Sequence, residues 1–377
     1  MGELALYIHW PFCKSKCPYC DFNSHVQRSI DYAQWQNAYI HELERLSTTL
    51  KGRPLKSIFL GGGTPSLMPP ELVAAILHKA KTLWPYEAIE ITLEANPNSV
   101  DVARFQAFRQ AGVNRISLGV QSLRDASLRF LGRQHSAAEG LKAIEIAQQT
   151  FERVSFDLIY ALPGQTAPAW GEELTQALAL GTTHLSLYQL TIEAGTAFAT
   201  QHARGDWRIP EDDHAGALYE QTQVLCAAKG LPAYEISNHA VPGQESQHNL
   251  VYWRYGDYAG IGPGAHGHLT HGAGKIATRQ IKAPQPWLNA IHEQGHGDAD
   301  VAPVPPLEQA RERLMMGLRL REGIKGFPAT AAEHEALDWA KVKVVEQAGL
   351  LTYQNSNLAL TQAGLQRHGA ILAYILA

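Results

Sequence analysis

Cys13, Cys17 and Cys20 fall in the pattern Cys-x-x-x-Cys-x-x-Cys, and the fourth cysteine, Cys226, stands far downstream. Three thiols in one loop cannot pair off evenly as disulfides. A chain of 377 residues also has room for a core without covalent staples. Clustered thiols of this kind point to metal. A [4Fe–4S] cluster ordinarily takes one thiolate per iron, so three leave one iron without a protein ligand. Catalytic metal sites keep such a position open for substrate or water. The alternative is a structural zinc, with His9 or His25 as a fourth ligand, although a second ligand pair on a separate knuckle is missing. Phe12, Tyr19 and Phe22 flank the thiols. They would either only shield the loop from water or also tune a cluster's potential. Cys226, beside Val224 and Leu225 in a helical pattern, reads as a small buried apolar residue.

Further polar residues stand where strands are expected to end. The run Gly61-Gly62-Gly63-Thr64-Pro65-Ser66 would let backbone approach a ligand closely and expose N–H groups. It is not a Walker loop, because no Gly-Lys-Ser/Thr follows. Glu94, in TLEANP, ends the third expected strand, Gln121, in SLGVQS, ends the fourth, and Asp157 lies in the fifth, in SFDLIYALPG. Each alone could be a plain strand-end residue; together they put polar side chains on one rim of a sheet. Arg133, in LGRQHS, is either a surface charge or a planar fork for a carboxylate.

The elements that must carry these residues alternate. Apolar β-like runs are expected at 4–10, 57–60, 89–94, 115–120, 154–160 and 184–190, rich in Val, Ile, Leu, Phe and Tyr as in strands buried on both faces. Helical spacing is expected at 31–50, 70–83, 100–110, 137–149, 169–180 and 212–229. Six β-then-α units predict an α/β fold with a parallel sheet and right-handed crossovers: a partial (β/α)6 TIM-like barrel over 1–232, with its chemistry at the C-terminal ends of the strands. Residues 233–305, rich in Gly, Pro and His and only weakly periodic, read as a capping and connecting region. Residues 306–377 read as a mainly helical, winged-helix-like C-terminal domain, with Val301–Pro306 as the linker. Apolar residues at 45% and charged residues at 18% argue against general disorder. A net charge of −4 argues against a dedicated nucleic-acid binder. No apolar run is long enough for a spanning helix, and the start MGELALYIHWPFC lacks the basic region of a secretory signal, so a cytoplasmic protein is expected.

The run YIHWPFCKSKCPYCDF resembles the cluster loop of the radical S-adenosylmethionine (SAM) superfamily. The resemblance implies that Cys13, Cys17 and Cys20 bind a [4Fe–4S] cluster, and that SAM chelates its open iron through its amino and carboxylate groups. One electron from the reduced cluster would then split the sulfonium to a 5′-deoxyadenosyl radical. By the same resemblance Gly62, Gly63 and Thr64 belong to the glycine motif that holds the SAM amino group. Glu94, Gln121 and Asp157 match positions that contact SAM's ribose, its amino-acid part and nearby polar groups. Tyr7, Tyr19 and Arg133 match further SAM contacts, with Arg133 pairing the carboxylate.

The segments FLGGGTPS, EANP, RISLGVQS, DLIYALPGQT and YEISNHA, followed by HNLVYWRYGDYAGIGPGAHG, are similar to one branch of the superfamily. That branch holds the oxygen-independent coproporphyrinogen III oxidases of the HemN type and the HemW-type heme chaperones. Two departures separate them. The oxidases carry a further cysteine where this chain has Phe22, and their N-terminal extension is expected to be absent. His248 to Trp253 matches the HNxxYW motif of the HemW type, which is associated with heme. A neutral imidazole can coordinate haem iron, and Tyr252 and Trp253 offer flat faces to a macrocycle. His239, His266, His268 and His271 stay unassigned.

The resemblance therefore implies a heme chaperone that binds the cluster, SAM and, through His248, heme. It would pass heme to acceptor haem proteins of the respiratory membrane, with peripheral membrane contact. A reductant such as flavodoxin and a homodimer go with the family. The alternative is an oxygen-independent coproporphyrinogen III oxidase or another radical SAM enzyme acting on a tetrapyrrole.

Overall fold

The computed structural model describes residues 2–272 and 274–377. Six strands pair in parallel in chain order: β1 (Leu4–Trp10), β2 (Leu55–Gly62), β3 (Glu90–Ala95), β4 (Arg115–Gln121), β5 (Arg153–Tyr160) and β6 (His184–Gln189). Their centres are buried on both faces, which is why they read as continuous apolar runs rather than alternating ones. Helices α1 (Tyr32–Leu50), α2 (Pro70–Leu83), α3 (Val102–Gln110), α4 (Asp125–Phe130), α5 (Ala137–Thr150), α6 (Ala167–Leu178), α7 (Ala197–Arg204) and α8 (Asp212–Ala228) follow the strands. Pro70 starts α2, where a missing N–H costs nothing. Ser136 and Glu139 form a capping box that starts α5. The short α4 and α7 were not anticipated, since two turns give periodicity too little length to show.

The sheet extends beyond the six strands. β7 (Asn238–Ala240) runs antiparallel on β6. On the other side of β1 lie β8 (Asp257–Ile261), parallel to it, then β9 (His266–His271), β10 (Gly274–Gln280) and β11 (Asp298–Val304), each antiparallel to its neighbour. The complete order is β11-β10-β9-β8-β1-β2-β3-β4-β5-β6-β7, eleven strands with two edges. The region expected to be a weakly periodic connection therefore adds five strands to the sheet, with helices α9 (Gln247–Trp253) and α10 (Pro284–Gln294). Its strands are short and carry His, Lys, Thr and Arg on half-exposed faces, so their apolar signal is faint. The expected linker Val301–Pro306 is also corrected: residues 301–304 belong to β11, and Pro306 begins a helix. Pro303 is tolerated because β11 is an edge strand, where a lost donor leaves no ladder bond broken.

A second apolar core, including Leu314, Leu318, Phe327, Val342, Leu358 and Ile375, is built by the last helices and a three-stranded sheet. The sheet has strands β12 (Ile324–Lys325), β13 (Leu351–Gln354) and β14 (Asn357–Leu360), in the order β12-β14-β13. Asn355 and Ser356, both at positive φ (51° and 56°), turn the β13–β14 wing as a two-residue hairpin demands. Arg319 Nη2 reaches the fully buried Glu235 at 2.9 Å and His268 meets Glu312 at 3.0 Å, tying this core to the barrel.

Candidate functional site

The three cysteines follow β1 in a loop held at several points. Phe12 is buried and packs edge-on against Trp10 and Trp35, with ring centroids 5.1 and 5.2 Å away. Phe12–Cys13 pairs with His25–Val26, closing the loop at its base. The glycine run completes the clamp: Gly63 N donates to Trp10 O at 2.7 Å and Thr64 N to Phe12 O at 2.8 Å. A Cβ on Gly63 would lie 2.6 Å from Phe12 O, so only glycine lets the two segments approach this closely. Pro18 is seated against Gly132, and its carbonyl accepts from Phe198 N at 2.9 Å.

These bonds correct one expectation. The N–H groups of Gly62, Gly63 and Thr64 are not exposed to a ligand, because Gly62 N donates to Glu94 Oε2 at 3.1 Å and the other two hold the loop. The Thr64 hydroxyl, by contrast, donates to Cys13 Sγ at 3.4 Å.

Arg133 is no surface charge. His135, bonded to Val120 O at 3.0 Å, and the capping box of α5 fix the loop that carries it. Its guanidinium reaches Cys17 Sγ at 3.4 Å, Tyr19 Oη at 3.5 Å, Gly119 O at 2.6 Å and Asn96 Oδ1. Its Nε is buried without a partner. An orphaned buried donor of a cation costs stability unless a further acceptor meets it. A small crevice of about 10 Å³ lies here, lined by Lys14, Cys17, Thr64, Asn96 and Arg133 among others. Asn96 was missed in the sequence, although it sits two residues after Glu94 in the same EANP motif.

The thiols are half-buried, and burial pushes those of Cys13 and Cys20 up. Among the described residues no three His, Cys, Asp or Glu side chains converge on one metal ion. A cubane does not require that, because its thiolates stand on different irons. Three thiols in one loop, one of them bonded to a guanidinium that keeps an unpaired donor, suit an anionic cluster carrying a carboxylate ligand, so the residues present fit the group.

Deeper in the barrel, Glu94 and Asp157 share one low-dielectric interior. Burial, then the neighbouring Asp157, pushes Glu94 up to about 8, and burial pushes Asp157 up to about 6. Glu94 is thus largely a neutral acid near neutral pH. Ser117 Oγ reaches Asp157 at 3.5 Å. Gln121 ends β4 at φ 73°, with its carboxamide close over Gly119. Tyr7 bonds His9 Nδ1 at 3.0 Å, and His9 Nε2 bonds Asn23 O at 2.9 Å.

His248 does not join them. It is 1% exposed, with Nδ1 bonded to Ser57 Oγ at 2.9 Å and Nε2 to Tyr252 Oη at 3.0 Å, and its ring stacks on Phe59. Its own N–H and that of Gln247 donate to the buried carboxylate of Glu90, which seats the start of α9 at the N-terminal ends of the strands. Both imidazole nitrogens thus meet hydroxyl groups, and the ring packs against Tyr7 and Tyr252. Trp253 lies under Arg319, whose guanidinium is 4.5 Å from the ring. Tyr252 also reaches a cavity of about 350 Å³ on the cysteine side, which is walled as well by Tyr7, Phe22 and Tyr258.

Burial also sets an acid limit on the fold. It lowers His9, His135 and His239 to about 4 and His248 to about 3. The unfolded chain then binds more protons than the folded one as pH falls below the ordinary histidine value, so stability is lost on acidification. Between about pH 7 and about pH 5 each buried histidine costs roughly 1–2 kcal/mol, opposed in part by Glu94 and Asp157, which prefer the protonated fold. Denaturant melts are expected to lose stability over that interval. A flat or rising profile would contradict this placement of the histidines.

Comparison with known proteins gives consistent matches. The radical SAM superfamily model matches residues 7–174 and the HemN C-terminal domain model residues 304–367. Radical S-adenosyl methionine domain-containing protein 1, mitochondrial, of Bos taurus is 38% identical over 99% of this chain and 87% of its own length. Heme chaperone HemW of Haemophilus influenzae is 40% identical over 86% of this chain and 84% of its own, and that of Bacillus subtilis 34% over 96% of each. The solved coproporphyrinogen III oxidase HemN of Escherichia coli, 20% identical, superposes with a TM-score of 0.83 over 99% of this chain and 89% of its own, and so shares the fold.

Proposed function

The chain belongs to the radical SAM superfamily and to its HemW group, and from that premise we propose that it is a heme chaperone, which takes up heme beside its cluster loop and releases it to acceptor haem proteins. What carries the reading is one juxtaposition. The three-thiol loop, with Arg133 and Tyr19 at its cleft, adjoins an aromatic-walled cavity of a size suited to a large flat ligand.

When bound, a [4Fe–4S] cluster with SAM on its open iron would supply one-electron chemistry at this rim. The protein's own part is positioning. Cys13, Cys17 and Cys20 would hold the cluster, with Thr64 and Arg133 donating to the sulfurs of the first two. Arg133 would also offer its unpaired Nε to SAM's carboxylate. With its N–H groups engaged, the glycine run would meet SAM's amino group through carbonyl oxygens. Tyr7, Tyr19, Glu94, Gln121 and Asp157 would complete the SAM surroundings, the neutral carboxyl of Glu94 adding no charge.

Respiratory membrane proteins are the proposed acceptors, and a flavodoxin-like donor and a homodimer belong to the same proposal. No helix among the described residues is long and apolar enough to cross a membrane.

Arg133→Lys keeps the charge but loses the planar fork. SAM affinity measured by calorimetry on reconstituted protein is expected to fall about tenfold or more, and an unchanged affinity would remove Arg133 from the SAM site. The function itself is tested by loading the reconstituted protein with heme and mixing it with an apo-haem protein. Parallel anaerobic assays supply coproporphyrinogen III, SAM and a reductant. Heme transfer without turnover is expected; catalytic formation of protoporphyrinogen would overturn the chaperone reading in favour of the oxidase.

A further inference from the structure

The cysteine loop ends in a short strap, Phe22–Asn23–Ser24, with two different faces. One face meets the thiols. Ser24 is 6% exposed, and its Oγ has no hydrogen-bond partner although it lies against the Cys13 thiol. The backbone N–H of Phe22 is directed at the Cys20 thiol. A buried hydroxyl without a partner costs stability until an acceptor meets it, and a thiolate or sulfide on iron is a charged acceptor. With Thr64 on Cys13 and Arg133 on Cys17, each thiol of the loop then has a donor of its own.

The other face is fastened to the sheet. Asn23 Nδ2 donates to Pro263 O at 2.8 Å and to Lys282 O at 2.9 Å, and Asn23 Oδ1 accepts from His25 Nε2 at 3.2 Å. The two carbonyl partners fix the orientation of the carboxamide, because only its NH2 end can meet them. Asn23 O accepts from His9 Nε2 at 2.9 Å. The turn from β8 to β9 leaves room for this side chain: a Cβ on Gly264, which stands at φ 74°, would lie 2.6 Å from Asn23 Nδ2. None of these bonds goes to a thiol. Their effect is to hold the peptide groups on both sides of Asn23, the ones that carry the donors of Phe22 and Ser24.

We propose that the Ser24 hydroxyl and the Phe22 N–H are donors to the sulfurs of the cluster site, that Asn23 is the positioning residue that aims them, and that together they raise the cluster's reduction potential. Reduction adds one electron to an already anionic cluster and its thiolates, so donors to the sulfurs favour the reduced form. This rests on the [4Fe–4S] reading of the loop and is independent of where heme binds.

The test uses the full chain and reads two quantities. The first is the midpoint potential of the reconstituted cluster, from a dithionite titration followed by electron paramagnetic resonance. The second is amide hydrogen exchange along the strap in cluster-free protein. Ser24→Ala is expected to keep its iron and sulfide, because all three cysteines remain. It is expected to be about tenfold harder to reduce, a fall of about 59 mV for a one-electron couple. Ser24→Thr, which keeps the hydroxyl, is expected to hold the wild-type potential. Asn23→Ala and Asn23→Asp are expected to lower the potential too, although neither removes a group that touches sulfur; the carboxylate keeps the shape but cannot donate to two carbonyls. In cluster-free protein both are expected to speed exchange at residues 22–24 and to leave the amides of Gly63 and Thr64 protected, which tests the anchor even where reconstitution is poor. A wild-type potential in Ser24→Ala, or wild-type exchange in both Asn23 variants, would overturn the proposal while the cluster reading stands. Wild type that takes up no iron and sulfide would overturn both.

Discussion

Cys17→Ser is expected to leave the protein without its cluster while heme uptake continues. Cys17 is the middle thiol of the loop and the one that Arg133 reaches, at 3.4 Å. Its loss leaves two thiolates for four irons, too few to hold a cubane in which one iron already lacks a protein ligand. Iron and sulfide content after anaerobic reconstitution should fall to background, and SAM binding should go with it. The loop itself should stay folded, because Phe12, the Phe12–Cys13 pairing with His25–Val26 and the clamp from Gly63 and Thr64 do not use the thiol. Heme binding should persist, since the aromatic cavity takes its walls from other side chains. A variant that still assembles a full cluster would show that a fourth ligand, such as His9 or His25, had been present.

Gly63→Ala is the second large effect. Its Cβ would stand 2.6 Å from Phe12 O and 2.9 Å from Phe12 N, both backbone atoms that cannot rotate away. The chain must part the glycine run from the cysteine loop, which breaks the bonds from Gly63 N to Trp10 O and from Thr64 N to Phe12 O. Overpacking of this kind costs about 1–3 kcal/mol. The functional loss should exceed the stability loss, because the same shift carries Thr64 away from Cys13. The expected result is a folded protein with reduced melting temperature and a cluster that reconstitutes poorly. Full cluster content at wild-type stability would show that the two segments separate freely.

Much of this site was legible because the chain places it locally. Cys13, Cys17 and Cys20 sit in one loop, and Glu94, Gln121 and Asp157 mark rim and interior positions of strands whose apolar runs are unmistakable. What could not be read was pairing between distant segments. Nothing in LGRQHS says that Arg133 turns inward onto Cys17, since that depends on His135 bonding Val120 O across the loop. The N–H groups of the glycine run looked free because their acceptors, Trp10 and Phe12 for Gly63 and Thr64 and Glu94 for Gly62, lie roughly thirty to fifty residues away.

The surroundings of His248 were hidden for a related reason. Nothing in His-Asn-x-x-Tyr-Trp says that Ser57 and Tyr252 bond the imidazole or that Glu90 accepts from the start of its helix. The strands β8 to β11 were hidden by polar residues on half-exposed faces.

The most direct test of the whole account is the electron paramagnetic resonance spectrum of the reduced, reconstituted protein before and after SAM is added. A cluster held by three cysteines has one iron open to the amino and carboxylate groups of SAM, so the spectrum is predicted to change on addition and to stop changing in Arg133→Ala. A spectrum indifferent to SAM, or metal analysis that finds zinc with neither iron nor sulfide, would contradict it.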